Sequence, residues 1–238
     1  MSAMATRTLG FIAAKGGSTR FPKKNIALLG GKPLLAWTIE SARQSGVIDC
    51  IAVSSESAEV LACARSSGAD LVLERPAALA RDPAGIVDVA LHHLEELAGG
   101  GRTFDEIAIL APTCPLRSAG DVASAVALFR RVAPSFVMSV SEFTHTPFAA
   151  LVMQEDGALA PAFPEYFGLK SQEMPKAYRP NGAIHVLGVD RFRTTRSYLS
   201  PPLIPYVMPR ERSIDIDFPA DLLEAELLLS QLKKPAGS

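Results

Sequence analysis

Two short stretches of the 238-residue chain carry side chains whose type and spacing could do chemistry. The first, AAKGGSTRFPKKN at 13–25, gathers Lys15, Arg20, Lys23 and Lys24 beside Gly16, Gly17, Ser18 and Thr19, with no acidic residue among them. Paired glycines let backbone amides approach an oxygen that a Cβ would keep away, hydroxyls add donors, and the cations neutralise charge through charge-assisted bonds. That combination suits a phosphate chain. A solvated basic turn has the same composition; the apolar run 9–14 just before it favours phosphate, because ligands of open parallel sheets gather beyond the carboxyl ends of strands. The Walker A pattern and the G-x-G-x-x-G fingerprint are both missing: Gly31-Lys32 is followed by Pro33.

The second stretch is SIDID at 213–217. Its alternation predicts an extended strand with Asp215 and Asp217 on one face, a paired oxygen site for a divalent cation, and Ile214 and Ile216 turned into the core. An isolated edge strand showing its polar face to solvent has the same pattern.

Such groups need a scaffold, and the composition supplies one. An apolar fraction of 48% over 238 residues is enough for one full core, which excludes small disulfide-held and disordered classes. The formal net charge of −1 excludes a general polyanion coat, so no nucleic-acid or membrane partner is expected and any anion must be met locally. Cys50, Cys63 and Cys114 fit no zinc spacing and suit a reducing compartment. No apolar stretch resembles a signal peptide or a membrane span, and a soluble cytoplasmic protein is expected.

Apolar runs at 9–14, 50–54, 70–73, 106–111 and 136–140 alternate with helical patterns at 34–45, 58–67, 86–97 and 119–132. This predicts βαβ units in an α/β, doubly wound, mostly parallel sheet. Residues 141–181 lose the rhythm and read as an inserted arm within a single domain spanning 1–238. Strands return at 183–187 and 204–208, a helix follows at 220–232, and KKPAGS reads as a frayed end. His92 and His93 read as surface residues of a helix, and Trp37 as core.

The loop and four later stretches, GGKPLLAWTIESA (30–42), APTCPLR (111–117), KAYRPNGAIHV (176–186) and RSIDIDFPADL (212–222), resemble the acylneuraminate cytidylyltransferase family in order and spacing over nearly the whole chain. The resemblance implies a sheet of nucleotide-diphospho-sugar transferase type and a homodimer whose arm at 141–181 reaches into the partner. It implies that the anomeric hydroxyl of a nonulosonic acid, a 2-keto sugar acid, attacks the α-phosphorus of CTP to give CMP-sugar and pyrophosphate. It assigns nucleotide binding to Ala14, Lys15, Gly16, Gly17, Ser18, Arg20, Lys24, Asn25 and Arg75, and catalytic roles to Lys15, Lys24 and Asp217. Asp215 and Asp217 would hold Mg2+ (or Mn2+), and Ala111, Thr113, Arg179, Asn181, Gly182 and His185 would face the sugar.

Departures from the family narrow the acceptor. Most members have arginine at the position of Lys15; lysine keeps the charge and loses the bidentate fork. Many sialic acid enzymes have glutamine at the position of Ala111 and a lysine near Ala149. Alanine meets a sugar only by packing, which points to a variant such as a legionaminic acid. YRPNGAI leans away from pseudaminic acid enzymes, and Asn25 away from the octulosonate (Kdo) branch. Two alternatives stay open: a Kdo or other sugar nucleotidyltransferase, and a non-catalytic nucleotide-binding homologue. Arg75 also reads as a strand-end partner of Glu74.

Overall fold

A computed structural model of the chain describes residues 6–132 and 136–232; the KKPAGS tail lies outside them. The first half alternates as the apolar runs predict: β1 (Thr8–Ala13), a short β2 (Leu28–Leu29) and β3 (Lys32–Pro33) hairpin, α1 (Leu34–Gln44), β4 (Cys50–Ser55), α2 (Ala58–Ser66), β5 (Leu71–Glu74), α3 (Ile86–Gly99) and β6 (Glu106–Leu110). The second half holds α4 (Ala119–Val132), β7 (Phe136–Glu142), β8 (Leu151–Met153), β9 (Leu159–Pro161), β10 (Tyr178–Gly188), α5 (Val189–Thr195), β11 (Leu203–Val207) and α6 (Pro219–Leu232).

Seven strands form one sheet in the order β11-β7-β10-β6-β1-β4-β5. Its neighbours pair in parallel except at β10, which runs antiparallel to both β6 and β7. Alternate side chains of the buried strands feed two cores. On one face Ile12, Ile51 and Val53 pack with Leu35 and Ile39 of α1, Val60 of α2 and Val126 of α4. On the other, Leu9, Phe11 and Ile107 pack with Leu91 and Leu94 of α3 and Phe192 of α5. Burial on both faces is why these strands read as nearly unbroken apolar runs.

From β1 the chain winds outward to β4 and β5, then returns to place β6 on the other side of β1. The order reverses there, and beyond the carboxyl ends at such a reversal a crevice opens. A third, smaller cluster lies outside the sheet: Leu29, Leu34, Leu116, Ile216, Ala225 and Leu229, with Trp37, Ile214, Leu222 and Leu228 against it. It seats α6 and the aspartate segment beside the crevice.

The ends of the 141–181 segment continue the sheet, with Arg179 opposite Ser141 and Tyr178 opposite Glu142. Between them the β8–β9 hairpin stands apart, with Leu151, Val152, Met153 and Leu159 exposed. The β7–β10 register shifts between Pro180 and His185, where Gly182 takes a positive φ of 71°. A side chain there would be strained.

Candidate functional site

The ends of β1 and β6 open into a cleft of about 380 Å³ lined by Lys15, Gly17, Ser18, Thr19, Arg20, Lys24 and Asn25 on one wall and Ile86, Leu110, Ala111 and Thr113 on the other. Ala111 and Thr113, expected at the sugar, thus face the same space as the cationic loop. Lys23 holds a left-handed φ of 56°, and the 3-10 turn Lys24–Ile26 that follows turns Lys24 and Asn25 inward. Asn25 is buried; its Nδ2 donates to Lys15 O at 2.7 Å, while its Oδ1 has no hydrogen-bond partner.

Asp217 meets this loop directly. Lys24 Nζ lies 2.7 Å from its Oδ1 and Arg20 Nη2 lies 3.0 Å from its Oδ2. The Lys24 bond, more than the Arg20 charge, holds the Asp217 carboxyl below the usual aspartate range. Asp215 moves the other way. It is open to solvent on one side, but protein crowding its carboxyl raises its pKa; the Asp217 charge adds to this, and Thr113 and Lys24 oppose it.

The segment 213–217 corrects the expected strand: it joins no sheet, and beyond the local turn bond from Ser213 N to Arg210 O it is pinned by a backbone bond from Ile216 N to Thr113 O at 2.9 Å. The inward side of the pattern holds, since Ile214 and Ile216 enter the third apolar cluster. Asp221, at the start of α6, adds a tether, its Oδ2 accepting from Asp217 N and Phe218 N. Two carboxylates with opposed shifts offer hard oxygen donors, a set that fits a magnesium-like dication.

Asp215 also lines a second, polar cleft of about 340 Å³, with Arg179, Pro180, Asn181, Arg210, Ser213, Asp221 and Glu224. It therefore stands between this cleft and the one that Thr113 lines. Gly182 borders the same carboxylate, a Cβ built on it lying 4.0 Å from Asp215 Oδ2. Asn181 is buried and fully used within the protein, donating to Ser213 Oγ at 2.9 Å and accepting from Ser139 Oγ and from Ala183 N. It shapes the cleft and offers no free group to a ligand. Arg210 was not found by sequence reading, because nothing in its neighbours marks it.

Several expected contacts are placed elsewhere. Ala14 is buried and donates to Ser54 O. The Gly16 and Gly17 amides point at Glu56 Oε1, at 2.7 and 3.3 Å. Arg75 is buried, with its guanidinium on Ser54 and Glu56 rather than in the cleft. His185 is buried edge-on against Tyr198, lines neither cleft, and is pushed down to about 4 by burial. His93 is no surface residue: it is buried between Ser54 Oγ and Glu96. Trp37 is half-buried and donates to Leu29 O.

A buried arginine braces the strands beside the clefts. Arg117 Nη1 donates to Ala183 O at 2.6 Å and Ala111 O at 3.3 Å, joining the middle of β10 to the residue that follows β6. A third cavity, of about 360 Å³, lies among α1, α6 and the start of α4; Trp37, Leu116 and Leu229 wall it, and no loop cation or paired aspartate reaches it.

Comparison with known proteins gives the family and the fold. A family profile described as "Cytidylyltransferase" matches residues 9–96. The chain is 32% identical over 227 residues to the CMP-N,N'-diacetyllegionaminic acid synthase of Legionella pneumophila, covering 94% of this chain and 96% of that one. It is 30% identical over 228 residues to a pseudaminic acid cytidylyltransferase of Campylobacter jejuni, covering 93% and 96%. An N-acylneuraminate cytidylyltransferase of Escherichia coli shares 30% over 232 residues, 97% of this chain and 53% of that one. The structure of CMP:2-keto-3-deoxy-manno-octonic acid synthetase complexed with CTP superposes with a TM-score of 0.72 at 16% identity, over 95% of this chain and 100% of that one. That last likeness speaks for the fold alone.

Proposed function

The chain belongs to the cytidylyltransferase family of these nonulosonic acid enzymes, and on that premise we propose that it transfers CMP from CTP to a nonulosonic acid, releasing pyrophosphate. One observation carries the reading: the loop cations Lys24 and Arg20, which line the basic cleft, close onto Asp217, two residues from the Asp215 that lines the polar one.

Lys15, Ser18, Arg20 and Lys24 take the triphosphate, and their charge stabilises the α-phosphoryl group as the acceptor's anomeric oxygen bonds to phosphorus and pyrophosphate leaves. The orphaned Asn25 Oδ1 faces the nucleoside, while Thr113, hydrogen-bonded to Asp215, lies with Ala111 on the side of the cleft turned toward the acceptor. Arg179 and Arg210 flank the polar cleft and grip the acid's carboxylate, so that its anomeric hydroxyl is presented beside Asp215. Asp215 and Asp217 would hold Mg2+ (or Mn2+), which neutralises charge on phosphate oxygens when bound.

Ala111 brings no polar group to the cleft, which supports an acceptor of the legionaminic kind over one read by a glutamine. Identity does not choose among acceptors, since the relatives for legionaminic, pseudaminic and neuraminic acids stand at 30–32%. The enzyme acts as a homodimer through the 141–181 arm, a reading supported by the exposed apolar side chains on β8 and β9. No helix among the described residues is long and apolar enough to cross a membrane. A cytoplasmic place follows from the need for CTP.

Incubating the protein with each nucleoside triphosphate, Mg2+ and a panel of nonulosonic acids and Kdo, while following pyrophosphate, tests the proposal. Turnover with CTP and a nonulosonic acid is expected. Preference for GTP or UTP, or for Kdo, overturns it.

A further inference from the structure

The glycine turn of the phosphate loop already holds an anion, and the protein supplies it. Glu56, just past the end of β4, turns its Oε1 to the amides of Gly16 and Gly17, at 2.7 and 3.3 Å. These are the donors that a glycine-rich turn would otherwise offer to a phosphate. Behind the carboxylate, Oε2 has no hydrogen bond and faces Arg75 Nη1 at 3.7 Å. Arg75 donates in turn to Ser54 O, and Ser54 Oγ meets the buried His93, whose other ring nitrogen meets Glu96. One polar chain thus runs from the loop to α3.

The turn is also seated sterically on the β4–α2 junction. A Cβ on Gly16 would lie 2.5 Å from Ser57 Cβ, so the backbone packs as closely there as a glycine permits. Further along the loop, Lys23 pairs with Glu59 of α2 at 2.8 Å. Glu56 is therefore held from behind and below, and a phosphate oxygen on the same amides would meet a like charge at contact distance.

We infer that Glu56 is a positioning residue for the nucleotide: an internal counter-anion that occupies the Gly16 and Gly17 amides and so directs the triphosphate to the side chains of Lys15, Ser18, Arg20 and Lys24. The inference rests on the reading of this loop as the CTP site. In this arrangement Glu56 stays on the amides when CTP binds, and Arg75 serves Glu56 rather than the nucleotide.

Two variants and two readouts test it. Glu56→Ala frees both amides and leaves Arg75 without its counter-ion; the KM for CTP rises about tenfold or more, while kcat at saturating CTP and the KM for the acid change less than about threefold. Glu56→Gln keeps an acceptor for the Gly16 amide and falls between wild type and Glu56→Ala; it carries the test alone if Glu56→Ala does not fold. The second readout is amide hydrogen exchange of the nucleotide-free protein. Gly16 and Gly17 are protected in the wild type, lose protection in Glu56→Ala, and keep it in the wild type when CTP is added. A KM for CTP that stays level or falls in both variants, or unprotected amides in the nucleotide-free wild type, overturns the inference. Failure of the wild type to turn over CTP counts against the function reading instead, and leaves the exchange result to judge Glu56.

Discussion

Lys24 Nζ lies 2.7 Å from Asp217 Oδ1, although the two stand 193 positions apart in the chain. The contact draws the phosphate loop and the aspartate segment to one point, with Arg20 on the second carboxylate oxygen. Asp217→Asn keeps the shape and removes the charge, so kcat is expected to fall by at least about 100-fold. The side chain is 34% exposed and outside the core, so the melting temperature stays within a few degrees. Pyrophosphate release and a thermal melt check both halves.

The same carboxyl sets an acid limit. Asp217 lies below its ordinary range in the folded protein, so its ion pairs are complete above the ordinary aspartate pKa and are lost as pH falls through the lowered value. Binding of CTP measured by calorimetry is expected to change when the pH is taken down through that window, and not to change at the same step in Asp217→Asn.

His185 sets a second acid limit, of a different kind. Burial pushes it down to about 4, against about 6.5 when unfolded. The unfolded chain binds the proton first, so stability is full above pH 6.5 and falls as pH drops toward 4, by roughly 3 kcal/mol in all. His185→Phe removes this slope, and urea midpoints measured from pH 7 to pH 4 check it.

Asp121 anchors the turn that precedes the aspartates. Burial pushes its carboxyl up, but bonds from Arg212, Ser118 and Tyr206 outweigh that and leave it below the usual range. Asp121→Ala strands Arg212 and is expected to destabilise by about 3 kcal/mol. Urea denaturation measures the loss, and because Arg212 directly precedes Ser213–Asp217, kcat falls with it.

The arm is tested by charge. Replacing Met153 and Leu159 together by aspartate puts two anions on the exposed face of the β8–β9 hairpin. Light scattering is expected to give a dimer for the wild type and a folded monomer for the double variant.

The sheet was legible because its strands are buried on both faces; Phe11, Ile51 and Ile107 leave little else for their segments to be. The antiparallel course of β10 was not, since strand direction is set by connections and not by local pattern. The two aspartates were visible by spacing, but the alternation that suggested a strand comes from Ile214 and Ile216 seeking a satellite cluster. Arg75 and Glu56 were opaque for one reason: each is satisfied by a partner distant in sequence, and single-residue chemistry cannot tell an internal counter-ion from a ligand contact. His93 reads as a surface residue by its polar type, yet it lies on the buried face of α3 with Val89, Ala90 and Leu94, where Ser54 gives it a partner.

The satellite cluster makes α6 a remote part of the reaction centre. Ala225 and Leu229 touch no cleft that holds the loop cations or the aspartates, yet they brace the isoleucines from which Asp215 and Asp217 hang, and Glu226 reaches across to the Gly30 amide. Erosion of the last turns of the chain, by a protease or a shortened clone, would therefore register first as lost turnover, well before the central sheet gave any sign of melting.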